Sequence, residues 1–307
     1  MEYYFAPLEG ITDRFYRQLH CRYFPGINRY YLPFLSPTMH RALTPRESAE
    51  LPPANTLSYC AIPQLLAKNS EDFLWMANQC AQLGYTQVNL NLGCPSGTVT
   101  AKGKGSGMLR TTDILDSFLY EIYKDPPLPI SIKTRIGFQE PQEFPSLMEI
   151  FNRYPIHELI IHPRVRAEFY KGPVHMDTFA LAIESAKMPL CYNGDLWSKE
   201  IVRDISQKFP SVKAMMLGRP LVGDPGMLLP TGTQVSTLEQ FHDELFQTYV
   251  ENFGGARNAM FRIKEHWSYL ITHFEGSEKL AKRLRKTTDQ GEFLAITREI
   301  FHTLPHK

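Results

Sequence analysis

The sequence predicts an α/β fold, a (β/α)8 TIM barrel followed by a small C-terminal helical domain. Eight short apolar runs recur along the first part of the chain, and stretches with helical spacing separate most of them. Strands that alternate with helices in this way are typical of a barrel of parallel strands. After about residue 230 the strand-like runs stop, and only helical patterns follow. We therefore place the barrel at residues 1–232 and the helical domain at residues 233–307.

Each of the eight runs is short and apolar, and each ends in polar or glycine-containing residues. Runs of this kind are typical of strands that are buried on both faces, as in a parallel sheet. The predicted strands lie within residues 3–10, 29–36, 60–68, 86–93, 128–137, 157–164, 189–195 and 212–219.

Helical patterns lie between most of these runs. After Ser70, a residue type that favours the N-cap, apolar residues recur at helical spacing and include Cys80, which we expect in the core. Residues 37–56 are rich in proline and predict a long loop with one helical turn. Further barrel helices are predicted at 113–123, 144–154, 176–186 and 198–209. After a linker at 226–236, the tail helices are predicted at 237–253, 256–274, 277–287 and 291–304.

The composition excludes several classes of protein. Apolar residues make up 43% and charged residues 21% of the chain, which argues against disorder. The net charge of +1 gives no overall attraction to nucleic acid or membrane, so an anionic partner must be bound by a local patch. The five cysteines form no CxxC pair, so we expect no disulfide framework, no metal site and a reducing cytoplasm. We see no signal peptide and no membrane span.

Most of the predicted strands end in polar residues, or in residues such as glycine, proline and cysteine that have distinctive backbone or chemical properties. The carboxyl ends of the strands form the functional face of a barrel, so this series indicates a site rather than a structural surface. The strand-end residues are Pro7, Leu8, Glu9, Gln64, Asn91, Cys94, Lys133, Arg135, His162, Arg164, Asn193, Gly194, Asp195, Gly218 and Arg219.

Several of these residues have a structural alternative. Cys94 is either a small apolar filler or a reactive thiol displayed at a strand end. The segments 193–195 and 218–219 are either turns or an anion site of the kind that barrels build after their last two strands. His162 alone would more often be a buried structural histidine. The glycine-rich segment 103–107 predicts a flexible loop first and an anion contact second.

Six motifs in this order resemble those of the dihydrouridine synthases, flavoenzymes that reduce uridine in transfer RNA. The resemblance covers nearly the whole chain, and its most specific part is the segment around Cys94. A further segment, FRIKEHWSYL, resembles the start of the family's helical RNA-binding domain. The six motifs read APLEGITDRFYR, VNLNLGCPSGTV followed by KGKGSGML, SIKTRIG, IIHPRVRAEFYKG, YNGD and AMMLGR.

The resemblance implies non-covalent FMN at the barrel mouth and NADPH as the source of hydride. It places Pro7, Leu8 and Glu9 along the flavin ring. It places Gln64, Lys133 and His162 around the ring's polar edge, and Asn193, Gly194, Asp195, Gly218 and Arg219 at the phosphate and ribityl chain.

The resemblance also implies that hydride passes to carbon 6 of the uracil and that Cys94 donates a proton to carbon 5. Asn91 is expected to orient the uracil or the flavin, and Arg135 and Arg164 are expected to contact the substrate or the RNA. The partner is expected to be tRNA, and the protein a monomer. The basic run at residues 279–286 is either a solvated helix face or an RNA contact, and we favour RNA contact through Lys282, Arg283 and Arg285.

Four residues depart from the family's usual pattern, and all four lie near the expected RNA face. Pro163 and Val165 stand in the segment where the family has His-Gly-Arg-Thr. Glu168 stands where glutamine is usual, and Gly97 where a basic residue is often found. These departures bear on which RNA and which position are recognised.

Two other functions remain open from the sequence. An FMN barrel acting on a free pyrimidine, such as a dihydroorotate dehydrogenase, would explain the barrel but not the basic helical tail. An RNA-binding protein without catalysis would not need Cys94, Lys133 and Arg219 together. The sequence also does not distinguish tRNA from another structured RNA as the substrate of a dihydrouridine synthase.

Overall fold

The computed structural model describes all 307 residues, which divide into two compact units. The barrel unit consists of residues 1–7, 28–196 and 200–217. The helical unit consists of residues 8–27, 197–199 and 218–307. The helical unit therefore includes an N-terminal segment that follows the first strand, as well as the predicted C-terminal helices. The domain boundary at residue 232 stays a prediction.

The barrel unit contains one parallel sheet, and it confirms the predicted barrel. The strands run in the order β3-β2-β1-β9-β8-β7-β6-β5-β4, and all neighbouring pairs are parallel. Their bounds are β1 Glu2–Phe5, β2 Arg29–Tyr31, β3 Ala61–Ile62, β4 Gln64–Leu65, β5 Val88–Leu92, β6 Ile130–Arg135, β7 Leu159–His162, β8 Leu190–Tyr192 and β9 Ala214–Leu217.

Nine strands arise from eight predicted runs because Pro63 divides the third run. Proline has no backbone N–H to give to the sheet, so the ladder stops there. The residues before it pair with β2, and the residues after it pair with β5. The two ends of the sheet are thus consecutive in the chain. Leu35 completes the closure, because its N–H donates to the carbonyl of Gln64 (2.8 Å) and its carbonyl accepts from Leu66 (2.8 Å).

The helices follow the predicted pattern, with three additions. Three helices, at residues 14–23, 97–100 and 219–223, lie where the sequence predicted none. The predicted helical turn within residues 37–56 is α2. The bounds are α1 Arg14–Tyr23, α2 Pro45–Glu50, α3 Ser70–Gln82, α4 Gly97–Thr100, α5 Thr112–Lys124, α6 Phe144–Phe151, α7 Met176–Ser185, α8 Lys199–Lys208, α9 Arg219–Gly223, α10 Val235–Asn252, α11 Ala256–Leu270, α12 Glu278–Lys286 and α13 Gln290–Thr303.

Helix α3 begins one residue earlier than its predicted cap implied. Asn69, not Ser70, is the N-cap, and its side-chain oxygen accepts the N–H of Asp72 (2.8 Å). Asparagine and serine are equally good N-caps, so sequence alone does not choose between neighbours. Cys80 on this helix is buried, as predicted.

The interior of the barrel packs small and aromatic side chains together. Cys191 is fully buried there, and Tyr4 packs on Tyr31 with ring centroids 5.8 Å apart. The Tyr4 hydroxyl lies within hydrogen-bonding distance of carboxylate oxygens of Glu2 (2.7 Å) and Glu158 (3.0 Å), which share its single proton. Burial raises the pKa of the Glu158 carboxyl. The contact gives the buried Tyr4 hydroxyl and Oε1 of Glu158 a hydrogen-bond partner, which they would be costly to bury without.

The helical unit packs its helices around aromatic and histidine side chains. The ring of Tyr16 on α1 stacks on His266 of α11 with centroids 4.9 Å apart, and on His20 at 5.8 Å. The carboxylate of Asp13, which caps α1, pairs with Arg262 of α11 (2.8 Å). No helix of the structure has both the length and the apolar composition that crossing a bilayer requires.

The buried histidines of the helical unit predict a loss of stability in acid. Burial lowers the pKa of His20 to about 3 and that of His266 to about 4, whereas unfolded histidine titrates near 6.5. Between these values the unfolded chain binds protons that the folded chain does not. The contribution of the two neutral histidines to the free energy of unfolding is therefore complete above pH 6.5, and it falls as the pH drops towards 4.

We expect the free energy of unfolding to fall by about 2 kcal/mol per histidine between pH 7 and pH 5. Urea unfolding at the two pH values measures this change, and His266→Gln should remove about half of it. An equal fall in parent and variant would show that other groups cause the acid sensitivity.

Candidate active site

The predicted site residues divide between the two units. Eleven of them belong to the barrel unit, within its strands or in the loops that follow the strands' carboxyl ends. Leu8, Glu9, Gly218 and Arg219 belong to the helical unit, and their predicted contacts with a cofactor stay predictions. The barrel residues are Pro7, Gln64, Asn91, Cys94, Lys133, Arg135, His162, Arg164, Asn193, Gly194 and Asp195.

A row of buried amides runs from β4 across β5 to a serine on β6. Gln64 donates from Nε2 to the Asn89 side-chain oxygen (2.8 Å) and accepts at Oε1 from Asn91 Nδ2 (2.7 Å). Asn89 in turn donates to the hydroxyl of Ser131 (2.9 Å). Because each amide both donates and accepts, the row fixes the orientation of every side chain in it.

Asn91 also fixes the backbone that carries Cys94. Its Oδ1 accepts the N–H groups of Gly93 (3.0 Å) and Cys94 (2.9 Å), which forms the turn just after β5. The structure thus gives Asn91 a positioning role for Cys94. Its predicted contact with substrate or RNA stays a prediction.

The glycine-rich segment packs against the same turn. The hydroxyl of Ser106 donates to the carbonyl of Cys94 (2.7 Å), and residues 105–107 are buried. Gly105 has a φ of +57°, and a Cβ there would lie 3.0 Å from the Cβ of Cys94. The prediction of a flexible loop is therefore wrong for these residues, because glycine is needed for close packing.

Lys133 extends from β6 opposite Asn91 in the sheet register. Its electrostatic neighbours are Arg135, Cys94 and Cys191, with no carboxylate among them. Burial, and secondly the charge of Arg135, lowers the pKa of Lys133 to about 8. An ammonium in such surroundings favours an anionic or electron-rich ligand.

Arg135 joins two of the loops at the mouth. Its Nε donates to the carbonyl of Gly93 (2.9 Å) and its Nη1 to that of Val165 (3.0 Å). The guanidinium also lies 5.3 Å from the ring centroid of Tyr170, and only 1% of the residue is exposed. Burial lowers its pKa. Its observed role is to fasten the loops, and its predicted RNA contact stays a prediction.

Arg164 connects the seventh and eighth strand ends. It pairs bidentately with Asp195, through Nη1 to Oδ1 (2.9 Å) and through Nη2 to Oδ2, and its Nε donates to the carbonyl of Gly172 (3.2 Å). This pairing raises the pKa of Arg164. With 2% exposure, Arg164 is an internal brace, and its predicted RNA contact stays a prediction.

The same guanidinium sets the tautomer of His162. Arg164 Nη1 lies 3.2 Å from His162 Nε2, and a guanidinium can only donate. His162 Nε2 is therefore the acceptor, and its ring proton is on Nδ1. The ring stacks on Tyr170 with centroids 5.9 Å apart.

The loop after β8 has a constrained backbone. Asn193 donates to the carbonyl of Met216 (2.7 Å), and Asp195 has a φ of +41°, which is uncommon for a residue with a side chain. A Cβ on Gly194 would lie 3.1 Å from Pro163 Cδ and from Val174 Cγ1. The predicted cofactor contacts of these residues stay predictions.

Tyr170 is a site residue that we did not single out from the sequence. It lies in the loop after β7, it is half exposed, and it covers both His162 and Arg135. An exposed aromatic residue in a loop at a strand end is the signal that could have identified it. The departure at Glu168 lies in the same loop, where its carboxylate contacts His175 Nε2 (2.7 Å) and accepts the N–H of Val165 (2.8 Å).

In the helical unit, the basic run lies on α12 with its cations exposed. The helix buries Leu280 and Leu284, and Lys282, Arg283 and Arg285 point to solvent. Arg283 also forms ion pairs with Glu292 (3.8 Å) and Glu299 (3.6 Å).

Arg219 lies at the start of α9, with its guanidinium 4.9 Å from the ring centroid of Trp197. Phosphate binding by Arg219 and RNA binding by α12 stay predictions.

The chain is similar to a known family over almost its full length. The family model for dihydrouridine synthase (Dus) matches residues 4–304. A tRNA-dihydrouridine synthase B from Vibrio vulnificus is 26% identical over 292 residues, which cover 89% of this chain and 87% of the relative.

Two further relatives cover less of the chain. The tRNA-dihydrouridine synthase B of Vibrio cholerae is 27% identical over 225 residues, covering 72% of this chain and 67% of the relative. The tRNA-dihydrouridine(16) synthase of Pseudomonas putida is 26% identical over 251 residues, covering 79% and 76%.

Solved structures support the barrel fold. A variant of NCR from Zymomonas mobilis superposes with a TM-score of 0.52 at 13% identity, covering 78% of this chain and 87% of the other. Morphinone reductase gives a TM-score of 0.50 at 11% identity, covering 74% and 84%. At these identities the likeness concerns the fold alone.

The contacts of Asn91 predict that it stabilises the mouth and orients Cys94. Asn91→Ala would leave the Gln64 carbonyl and two backbone N–H groups without their partner, and should lower the free energy of unfolding by about 2–4 kcal/mol. Urea unfolding and the rate of thiol labelling at Cys94 measure the two effects.

Asn78→Ala is the control, since Asn78 is an exposed asparagine whose amide donates only to the carbonyl of Leu74 (2.8 Å). Equal stability and equal labelling in the two variants would contradict the positioning role.

Proposed function

The chain belongs to the dihydrouridine synthase family, and on this premise we propose that it reduces uridine to 5,6-dihydrouridine in tRNA with FMN as cofactor and NADPH as reductant. The observation that carries the proposal is the family match over residues 4–304, together with a cysteine held at the end of β5. Relatives named as tRNA-dihydrouridine synthases support tRNA as the substrate.

The barrel mouth fits a flavin. Lys133 presents an ammonium with no acidic neighbour, and the ring proton of His162 is on Nδ1, so both suit the electron-rich edge of the flavin ring. We propose that these two residues, with Pro7 and Gln64, would hold the ring. Asn193, Gly194 and Asp195 would lie near the ribityl chain and phosphate. When bound in its reduced form, FMN supplies hydride for carbon 6 of the uracil.

Cys94 would donate the proton to carbon 5. A thiol is mostly protonated at neutral pH and can act as a general acid. Lys133 and Arg135 both interact electrostatically with the Cys94 sulfur. Two positive charges near it would stabilise the thiolate that remains after the proton leaves. The turn held by Asn91 keeps this sulfur at the strand end.

The helical unit supports a macromolecular substrate rather than a free pyrimidine. Binding of a free base would not require the exposed cations of α12, whereas binding of RNA phosphates would use them. A target uridine in a folded RNA must also leave its stack to reach the mouth, which costs a few kcal/mol that phosphate contacts can offset. We also propose that the protein acts in the cytoplasm and as a monomer.

The proposal predicts that Cys94→Ala separates two half-reactions. FMN content and NADPH-dependent bleaching of the flavin should stay near those of the parent protein, since the thiol acts only on the uracil. Reoxidation of the flavin by unmodified tRNA transcript should slow about 100- to 10,000-fold, the usual cost of losing a general acid. Stopped-flow absorbance follows both steps.

Cys60→Ala is the matched control, because Cys60 is an exposed free cysteine. It should behave as the parent in both half-reactions. Equal loss of both half-reactions in Cys94→Ala would make Cys94 structural. No loss in either would assign the proton to another group.

A further inference from the structure

A chain of cation–aromatic contacts runs through the barrel unit beside the cysteine turn. The guanidinium of Arg110 lies 4.1 Å from the ring centroid of Phe138. That of Arg166 lies 5.3 Å from the same ring and 4.9 Å from the ring of Phe169. Arginine over an aromatic face is favourable at these distances. The four side chains therefore form one continuous series of contacts, which we call the Arg–Phe stack: Arg110, Phe138, Arg166 and Phe169.

The inner part of the Arg–Phe stack is held in place. The carboxylate of Glu143 accepts the N–H groups of Phe138 (2.6 Å), Gln139 (2.8 Å) and Glu140 (2.9 Å), and Phe138 is buried. Carboxylates that accept several backbone N–H groups fix a loop firmly. The ring of Phe138 thus offers a rigid base for the two arginines.

Arg166 connects the Arg–Phe stack to the candidate active site. Its Nε donates to the carbonyl of Pro95 (3.2 Å), the residue that follows Cys94, and its Nη2 to the hydroxyl of Thr100 (3.4 Å). Whatever lies on the outer end of the stack is therefore close to the loop that carries the proposed acid.

The outer end is Phe169, whose backbone and exposure are both unusual. Its φ is +54°, which a bulky residue adopts only under backbone strain. Yet 40% of the residue is exposed, so the strain is not offset by burial in a core. Apart from the guanidinium of Arg166, no cation and no aromatic ring lies over the ring of Phe169. A strained and exposed aromatic side chain at a functional edge indicates a binding role.

We propose that Phe169 is a stacking platform for an unpaired nucleobase of the RNA that carries the target uridine. The inference rests on the proposed function, and it adds a base-binding site outside the reaction centre. A planar base would continue the Arg–Phe stack, and the exposed Lys171, two residues after Phe169, would face the phosphate beside that base. Stacking tolerates any base, because every base has a π face.

The test measures binding of an unmodified tRNA transcript to the FMN-loaded protein. Phe169→Ala should weaken binding roughly 5- to 150-fold, which corresponds to the loss of one base–aromatic stack. Phe169→Trp should bind as the parent does, and its indole fluorescence should fall on addition of tRNA by more than that of the parent.

Phe169→Gly separates binding from structure. Glycine adopts a positive φ without strain, so this variant should unfold at the parent's temperature or above it while binding tRNA as weakly as Phe169→Ala. A residue with a purely structural role would lose stability instead.

Tyr120→Ala is the matched control, because Tyr120 on α5 is 56% exposed and also lies near a cation, with Lys124 Nζ 5.3 Å from its ring. This variant should bind tRNA as the parent does. Parent-like binding by Phe169→Ala would overturn the inference and leave the proposed function intact. A parent protein that binds no tRNA would overturn the proposed function and this inference with it.

Discussion

The hydrogen bond from Asn91 to Gln64 (2.7 Å) connects the two features on which the site depends. Gln64 begins β4, the short strand by which the sheet closes on itself after Pro63. Asn91 lies near the end of β5, and its oxygen holds the turn of Cys94. Closure of the barrel and placement of the thiol therefore share one buried amide pair, and a buried amide without its partner is costly.

Two buried arginines then give the mouth its form. Arg135 fastens the loops after β5 and β7, and Arg164 fastens those after β7 and β8 through Asp195. Their guanidinium groups act as braces, because five donors in a fixed plane can satisfy several carbonyls or carboxylate oxygens at once. The remaining cation of the mouth, Lys133, has no acidic neighbour, which supports its proposed role towards a flavin.

Sequence could predict the barrel and the cysteine turn because both depend on local patterns. The eight apolar runs match the observed strands, and the motif around Cys94 is specific. The sequence could not predict the hydrogen-bond partners of polar side chains. Spacing along a strand shows on which face of the sheet a residue lies, but not which atom its side chain bonds. The sequence therefore could not show that Arg135 bonds to two loop carbonyls or that Arg164 pairs with Asp195. The positive φ of Phe169 could not be predicted either, because phenylalanine rarely adopts this conformation.

The central claim is that this barrel reduces uridine in tRNA. The most direct measurement is mass spectrometry of nucleosides from an unmodified tRNA transcript after incubation with the FMN-loaded protein and NADPH. The account predicts a nucleoside heavier than uridine by two hydrogens, formed only when protein, flavin and NADPH are all present. A transcript that stays fully unreduced with flavin-loaded, NADPH-oxidising protein would contradict it.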